Sequence, residues 1–325
     1  PFPGTGVPLE EHAARRKAVL EAIEGGVMIL AAGSPPTYSR DTEYRFRPHS
    51  DFFYLTGYPE PETVLVLKPG AEAPVTLFVR PRDPEAEVWT GRRTGPEGAV
   101  RDYGVDAAFT LDELEPKMRE ILDGAKRIHH YAWEHPALDA MIRGALAFLK
   151  GKERFGHRAP TAIVDPGALL HEMRLIKSEA EIAVLREAAR ISAKGHFPGM
   201  AACRPGAMEY QVQNAIESTF LQEGAPTAGY ASIVGAGENG CILHYIENQS
   251  EIRKGQLVLV DAGAEYGCYN GDITRTFPSD GQFTPAQRAV YDIVLDALEK
   301  CLAECKPGQS IDGIHEIALR TLTQG

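Results

Sequence analysis

The sequence has no excess of basic residues. Its 325 residues include 34 Lys and Arg against 45 Asp and Glu, so the formal net charge is −11 at pH 7. A chain of this charge is repelled by nucleic acids and by anionic membrane surfaces. We therefore expect neither a nucleic acid nor a membrane among its partners.

Long apolar runs are also missing. No stretch approaches the ~18 apolar residues of a transmembrane helix, and residues 1–7 show neither the basic nor the apolar region of a secretory signal. The five cysteines include no CxxC pair. These features favour reduced thiols in a cytoplasmic protein.

One common zinc motif is absent as well. The His-Glu pairs at 171–172 and 315–316 are followed by Leu175 and Leu319, where an HExxH motif needs its second histidine. This excludes a zincin.

What is present in the first half is an alternation of helix and strand patterns, which predicts an α/β domain. Helices are expected at 9–23, 111–122 and 136–149, and strands at 27–32, 52–57, 63–67 and 75–79. A polar run at 150–160 marks the end of this domain. We place the domain boundary between residues 163 and 164, which gives a domain at 1–163 and a second at 164–325.

The second domain contains longer helices and an internal repeat, and we expect an α+β fold. Cys203-Arg204-Pro205-Gly206 recurs as Cys305-Lys306-Pro307-Gly308, with similar predicted helices on either side of each copy. Strand-like segments follow the first copy, whereas the sequence ends at Gly325 after the second. The repeat therefore predicts that half of a pseudo-symmetric sheet lies outside this sequence.

Two aspartates, Asp261 and Asp272, stand at the ends of neighbouring strand-like segments. With a two-residue turn at Tyr266-Gly267 they would face each other, with Cβ atoms ~5 Å apart. Like charges in that position repel unless they share a proton or a cation, and paired carboxylates suit divalent metals such as Mn²⁺. A turn at Asn270-Gly271 would break this register, which leaves two unrelated aspartates as the alternative.

The segment 235–240 matches the GxGxxG pattern, and Asp261 follows at a strand end. That is the outline of a dinucleotide-binding motif. The intervening residues 241–248 are poor helix formers, however, which makes this the weaker hypothesis. His244 lies between apolar residues, where a histidine is more often structural than catalytic.

Six segments together resemble the aminopeptidase P (Xaa-Pro aminopeptidase) family over essentially the whole chain. They are residues 47–57 (RPHSDFFYLTG), 87–93 (EVWTGRR), 171–178 (HEMRLIKS), 233–245 (IVGAGENGCILHY), 260–263 (VDAG) and 271–278 (GDITRTFP). The resemblance implies a creatinase/prolidase-type N-terminal domain, a pita-bread catalytic domain and release of the residue that precedes a proline. It also implies Xaa-Pro peptides as substrates, a homo-oligomer, and two divalent metal ions, with manganese expected and zinc or cobalt as alternatives.

The resemblance further implies roles for single residues. Asp261 and Asp272 match two of five metal ligands, and His244 matches a histidine that contacts substrate or stabilises the reacting centre. Tyr230 matches a nearby tyrosine of the substrate site. Trp89 matches a residue that approaches a neighbouring subunit's active site in oligomeric members.

No residues of this sequence match the family's remaining ligands, one His and two Glu. We therefore expect residues 1–325 alone to bind metal weakly and to be inactive. Two alternatives stay open: a dipeptidase of the prolidase type, and a metal-free binding module with the same fold.

Overall fold

A six-stranded sheet organises the first part of the chain in the computed structural model, which describes residues 6–325. The strands of this part are β1 (Val27–Ala31), β2 (Thr37–Ser39), β3 (Thr42–Glu43), β4 (Val64–Leu67), β5 (Val75–Val79), β6 (Ala107–Thr110), β7 (Ile128–His129) and β8 (Ile163–Val164). The helices are α1 (Leu9–Ala22), α2 (Ser50–Thr56), α3 (Pro84–Thr90), α4 (Gly95–Tyr103), α5 (Leu114–Leu122), α6 (Pro136–Gly151) and α7 (Gly167–Leu175).

The sheet is mixed, in the order β6-β5-β4-β1-β7-β8, and both of its faces are covered by helices. In the central strand β1, Met28 and Leu30 join one apolar cluster with residues of α1 and α2. The alternate residues Val27 and Ile29 join a second cluster with residues of α5 and α6. Because successive side chains of a strand point to opposite faces, these two clusters are two core layers. The α/β class expected for this part is confirmed.

One predicted strand is wrong, because residues 52–57 lie in helix α2 and at its end. The His49 ring accepts a hydrogen bond from Asp51 N at the start of this helix, and Gly57 ends it in the left-handed conformation. Asp51 to Thr56 are all buried. A short segment that is buried on every side has no periodicity, so its pattern does not separate helix from strand.

The chain divides into two compact units between Val184 and Leu185. The boundary placed between residues 163 and 164 from the sequence lies earlier, because α7 packs inside the first unit. Its Leu170 belongs to a core cluster of that unit. Its Arg174 pairs with the buried Asp51, with Nη1 and Oδ1 2.6 Å apart.

The second unit contains an antiparallel sheet and long helices. Its strands are β9 (Thr227–Ala228), β10 (Ile233–Ala236), β11 (Leu257–Asp261), β12 (Ala264–Tyr266), β13 (Tyr269–Asn270) and β14 (Thr274–Pro278), in two three-stranded sheets ordered β10-β11-β14 and β13-β12-β9. Its helices are α9 (Glu209–Gln222), α10 (Pro285–Glu304), α11 (Ile311–Gln324) and most of α8 (Glu179–Ala202). Within residues 6–325, no helix has the length and apolar character that crossing a bilayer requires.

One face of β11 is the core face of this unit. Val258 and Val260 are buried with Ile216 and Phe220 of α9. The alternate positions, Asp261 among them, are only half-buried. The strand therefore directs a carboxylate away from the apolar core.

A buried histidine gives the first unit a pH dependence. His12 Nδ1 lies 2.9 Å from the carbonyl oxygen of Tyr54 and must carry a proton to bond there, whereas Nε2 has no hydrogen-bond partner. Burial, together with nearby Arg15 and Arg16, outweighs that bond and lowers the pKa of His12 from 6.5 to about 4. The folded protein therefore keeps this ring neutral at pH values where the unfolded chain protonates it.

We expect the free energy of unfolding to fall as the pH is lowered from 6.5 to about 4. The contribution of His12 is on the order of 3 kcal/mol. His12→Gln keeps an N–H donor for Tyr54 but does not titrate. Urea unfolding of both proteins across this range should show a shallower slope for the variant, and parallel curves would contradict the assignment.

Asp51 should carry much of the stability of the α2–α7 contact. It accepts hydrogen bonds from Arg174 and from the Tyr131 hydroxyl, and its side chain is 1% exposed. Asp51→Ala leaves both donors without their acceptor, and we expect a loss of about 2 kcal/mol in urea unfolding. The control is Asp102→Ala, whose ion pair with Arg101 lies at the surface and whose loss should not be measurable.

Candidate metal centre

The hairpin that leads from Asp261 to Asp272 has a different register from the predicted one. Tyr266 pairs with Tyr269, so the turn residues are Gly267 and Cys268, both with positive φ (58° and 65°). Positive φ at both central residues is the pattern of a type I′ turn. Glycine adopts it without steric cost, whereas Tyr266 at the first central position of the predicted turn would be strained. Asp261 therefore pairs with Thr274, and Asp272 lies diagonally from it instead of opposite.

Two glycines let the strands come close between the aspartates. A Cβ on Gly263 would lie 1.8 Å from the carbonyl oxygen of Gly271, and a Cβ on Gly271 would lie 2.2 Å from Ser192 Oγ. Neither position has room for a side chain. The same Ser192 hydroxyl accepts a hydrogen bond from Ala264 N at 2.9 Å, which ties the strand to helix α8.

The hydroxyl of Tyr230 brings the two carboxylates to one point. It donates a short hydrogen bond to Asp261 Oδ1 and lies 3.3 Å from Asp272 Oδ1. Burial raises the pKa of Tyr230, and the hydrogen bond to Asp261 raises it further. The hydroxyl thus keeps its proton and offers it to two anions. Three residues singled out in the sequence are brought together here.

The donor set fits part of a site for a divalent metal ion. Carboxylate oxygens are the hard ligands that such ions prefer, and a cation between them would remove the repulsion that one hydroxyl only moderates. Within residues 6–325, however, no group of three or more His, Cys, Asp or Glu side chains could hold a metal ion. Asp261 and Asp272 would therefore supply two ligands of a larger set.

A buried histidine supports the end of β11. His196 of α8 is 5% exposed, and its Nε2 lies 3.0 Å from the carbonyl oxygen of Ala262, next to Asp261. Burial lowers the pKa of His196, so the neutral ring donates from Nε2. Sequence reasoning missed this residue, because nothing in its spacing links it to Asp261.

The other two predicted site residues lie apart from the carboxylate pair. His244 is exposed in an irregular segment after β10 and, within the described chain, forms no hydrogen bond to either aspartate. Trp89 lies on α3 of the first unit and is 88% exposed. The roles expected for both remain predictions.

The structure contradicts the dinucleotide-binding hypothesis. The GxGxxG segment leads into a short 3₁₀ helix, Gly237–Cys241, instead of an α-helix, and its strand β10 pairs antiparallel with β11. A Cβ on Gly235 would lie 2.8 Å from Gly240 Cα. These two glycines serve a close backbone contact inside the loop, without the strand–helix geometry that cradles a pyrophosphate.

Family profiles match both units. Residues 12–130 match the profile "Aminopeptidase P, N-terminal domain", and residues 183–325 match "Metallopeptidase family M24". Both profiles are those of the family that the sequence motifs resemble.

Similar proteins agree with the profiles. The chain is 44% identical over 319 residues to the Xaa-Pro aminopeptidase of Escherichia coli K12, an alignment that covers 97% of this chain and 72% of that protein. The solved Pseudomonas aeruginosa aminopeptidase PepP superposes with a TM-score of 0.95 at 41% identity, covering 98% of this chain and 72% of that one. Zinc-substituted E. coli aminopeptidase P in complex with product also gives a TM-score of 0.95, at 43% identity, covering 98% of this chain and 73% of that one.

These likenesses confirm the expected fold class, an aminopeptidase P N-terminal domain followed by a pita-bread catalytic domain. By sequence, fold and domain order, the chain belongs to the aminopeptidase P family of M24 metallopeptidases.

Proposed function

We propose that this protein is an Xaa-Pro aminopeptidase that releases the first residue of peptides with proline at the second position. The observation that carries the proposal is the pair Asp261 and Asp272, held at the hydroxyl of Tyr230. The relatives of this chain include the Xaa-Pro aminopeptidase of E. coli.

The bond to be cleaved explains why a metal is useful. An Xaa-Pro bond is a tertiary amide without an N–H, and the proline ring restricts the residue before it. Peptidases that bind that N–H therefore fit it poorly. Divalent metal ions, when bound, polarise the carbonyl group and lower the pKa of water so that it attacks at neutral pH.

The protein's own residues would prepare this site in distinct ways. Asp261 and Asp272 would hold the metal through carboxylate oxygens directed away from the core of the second unit. Tyr230 would orient both carboxylates through its hydroxyl. His244, exposed to solvent, is available to bind the substrate or to stabilise the reacting carbonyl oxygen.

We propose manganese as the natural metal because paired carboxylates are hard donors, with zinc or cobalt as substitutes. We also propose a homo-oligomer, in which the exposed Trp89 approaches a neighbouring subunit. A cytoplasmic location is our remaining proposal. All five cysteines are free thiols, as is usual in reducing compartments.

The other activities considered have less support. The similar proteins of E. coli and P. aeruginosa are aminopeptidases, and this does not favour a prolidase-type dipeptidase. A metal-free binding module has no need of two carboxylates brought to one hydroxyl.

We expect the gene product that contains this sequence to release the first residue from an Xaa-Pro-Xaa tripeptide, with stimulation by Mn²⁺. Product formation is followed by mass spectrometry before and after chelation. Asp261→Ala and Asp272→Ala should each lower kcat/KM by at least about 100-fold, because each removes a metal ligand.

Asp280→Ala is the matched control, since this aspartate is exposed in the turn that follows β14. It should retain full activity. Replacing the proline of the peptide by alanine should abolish cleavage. Activity that survives exhaustive chelation, or that ignores this replacement, would refute the proposed function, and cleavage of dipeptides alone would identify a prolidase.

Tyr230→Phe should destabilise the metal-free protein. The change removes the donor that moderates the repulsion between Asp261 and Asp272, so we expect a loss of about 1–2 kcal/mol in unfolding with EDTA present. Excess Mn²⁺ should reduce that loss, because a cation replaces the hydroxyl proton between the carboxylates.

Tyr266→Phe is the control for this measurement. The hydroxyl of Tyr266 has no hydrogen bond among the described residues, and its ring packs at the edge of the same core. The difference in stability between this variant and the unsubstituted protein should be the same with EDTA and with Mn²⁺. A loss in Tyr230→Phe that is the same in both conditions would show that the hydroxyl does not act between the carboxylates.

A further inference from the structure

Glu209 of α9 is a charged residue inside the core of the second unit. It is 0% exposed. Among the ion pairs of residues 6–325, none involves this carboxylate. A buried charge without a counter-ion is costly unless hydrogen bonds replace the water that it has lost.

Four donors surround this carboxylate. One belongs to the last residue of β10, and three belong to residues 237–256, the loop that carries His244 (the His244 loop). Oε1 accepts from Ala236 N at 2.8 Å and from Asn239 Nδ2 at 3.0 Å. Oε2 accepts from the Tyr245 hydroxyl at 2.7 Å and from Ser250 N at 2.8 Å. One side chain thus binds the loop near its start, in its middle and near its end.

His244 has no comparable support of its own. It is exposed and lies in the irregular segment between the 3₁₀ helix Gly237–Cys241 and strand β11. Its neighbour Tyr245 is 7% exposed, and the Tyr245 hydroxyl also accepts a hydrogen bond from Asn239 Nδ2 at 3.0 Å. The residue that follows the histidine in the sequence is therefore a buried tyrosine held by Glu209.

A second anchor lies farther along the loop. Asn248 has a positive φ of 49°, accepts from Val234 N at 2.9 Å and donates to Ser232 O at 2.8 Å. These two hydrogen bonds tie Asn248 to β10 and to the residue before it without involving Glu209. Of the two anchors, Glu209 is the one that binds Tyr245, the neighbour of His244.

We propose that Glu209 is a positioning residue, which holds the His244 loop for catalysis through Tyr245. The inference rests on the proposed function, because it assigns His244 to the peptidase site. The four donors require that both side-chain oxygens of residue 209 act as hydrogen-bond acceptors. A glutamine at position 209 would direct its NH₂ at either the Ala236 and Asn239 donors or the Tyr245 and Ser250 donors.

The test compares Glu209→Gln, Tyr245→Phe and the double variant in the gene product that contains this sequence. We expect Tyr245→Phe to lower kcat about tenfold with little change in KM, and Glu209→Gln to lower it further. If both act through one hydrogen bond, the double variant should be no worse than Glu209→Gln alone.

A second readout follows His244 directly and does not require turnover. In ¹H–¹⁵N spectra of histidine-labelled protein, the His244 ring signals are identified by their loss in His244→Gln. They should shift in Tyr245→Phe and in Glu209→Gln. Should the unsubstituted protein fail to cleave Xaa-Pro peptides, the proposed function is wrong, whereas this measurement still tests the positioning.

Ile216→Val and Ile216→Ala are the stability controls. Ile216 lies on the same helix and is 0% exposed, but it contacts the core instead of the loop. These variants should lower the melting temperature without shifting the His244 signals or lowering kcat. The proposal is overturned if the His244 signals stay in place in Tyr245→Phe. It is also overturned if kcat falls only as far as it does in an Ile216 variant of equal melting temperature.

Discussion

The repulsion between two carboxylates is the constraint around which the second unit is built. Asp261 and Asp272 meet at the hydroxyl of Tyr230, and a single proton cannot neutralise two anions. A fold that keeps them together must oppose this repulsion through its backbone. The backbone of Gly263 packs closely on that of Gly271, which in turn packs on Ser192 and Ala188 of α8.

The polar groups around this sheet act as structural ties. Ser192 binds the backbone of Ala264, His196 binds that of Ala262, and Glu209 binds the loop after β10. Each is buried and each forms at least one hydrogen bond with a backbone group of a strand or loop. Buried hydrogen bonds of this kind favour one arrangement over others, since displacing a strand or loop would leave their donors and acceptors unpaired. These ties join the strand that carries Asp261 to α8 and the His244 loop to α9.

Local chemistry explains which elements were predictable. Ser178 and Glu181 exchange hydrogen bonds at the start of α8, and Thr284 accepts from Gln287 N at the start of α10. Residues three apart form these contacts, so the sequence pattern alone indicates them. The sequence of 52–57 predicts a strand incorrectly, because burial on every side removes the periodicity that separates helix from strand. The hairpin register differs from the predicted one because the turn lies at Gly267 and Cys268, which both have positive φ. The sequence spacing of the two aspartates does not reveal where that turn lies.

The sequence by itself determined the two domains' fold class, the family and the identity of the aspartate pair, since these depend on local patterns and on motifs in a fixed order. Only the tertiary structure decided which groups meet. It placed Tyr230 between the carboxylates, moved Asp272 to a diagonal position, and enclosed Glu209 among donors that are distant in sequence. Such contacts arise when separate segments pack together, and no single segment carries a signal of its future neighbours.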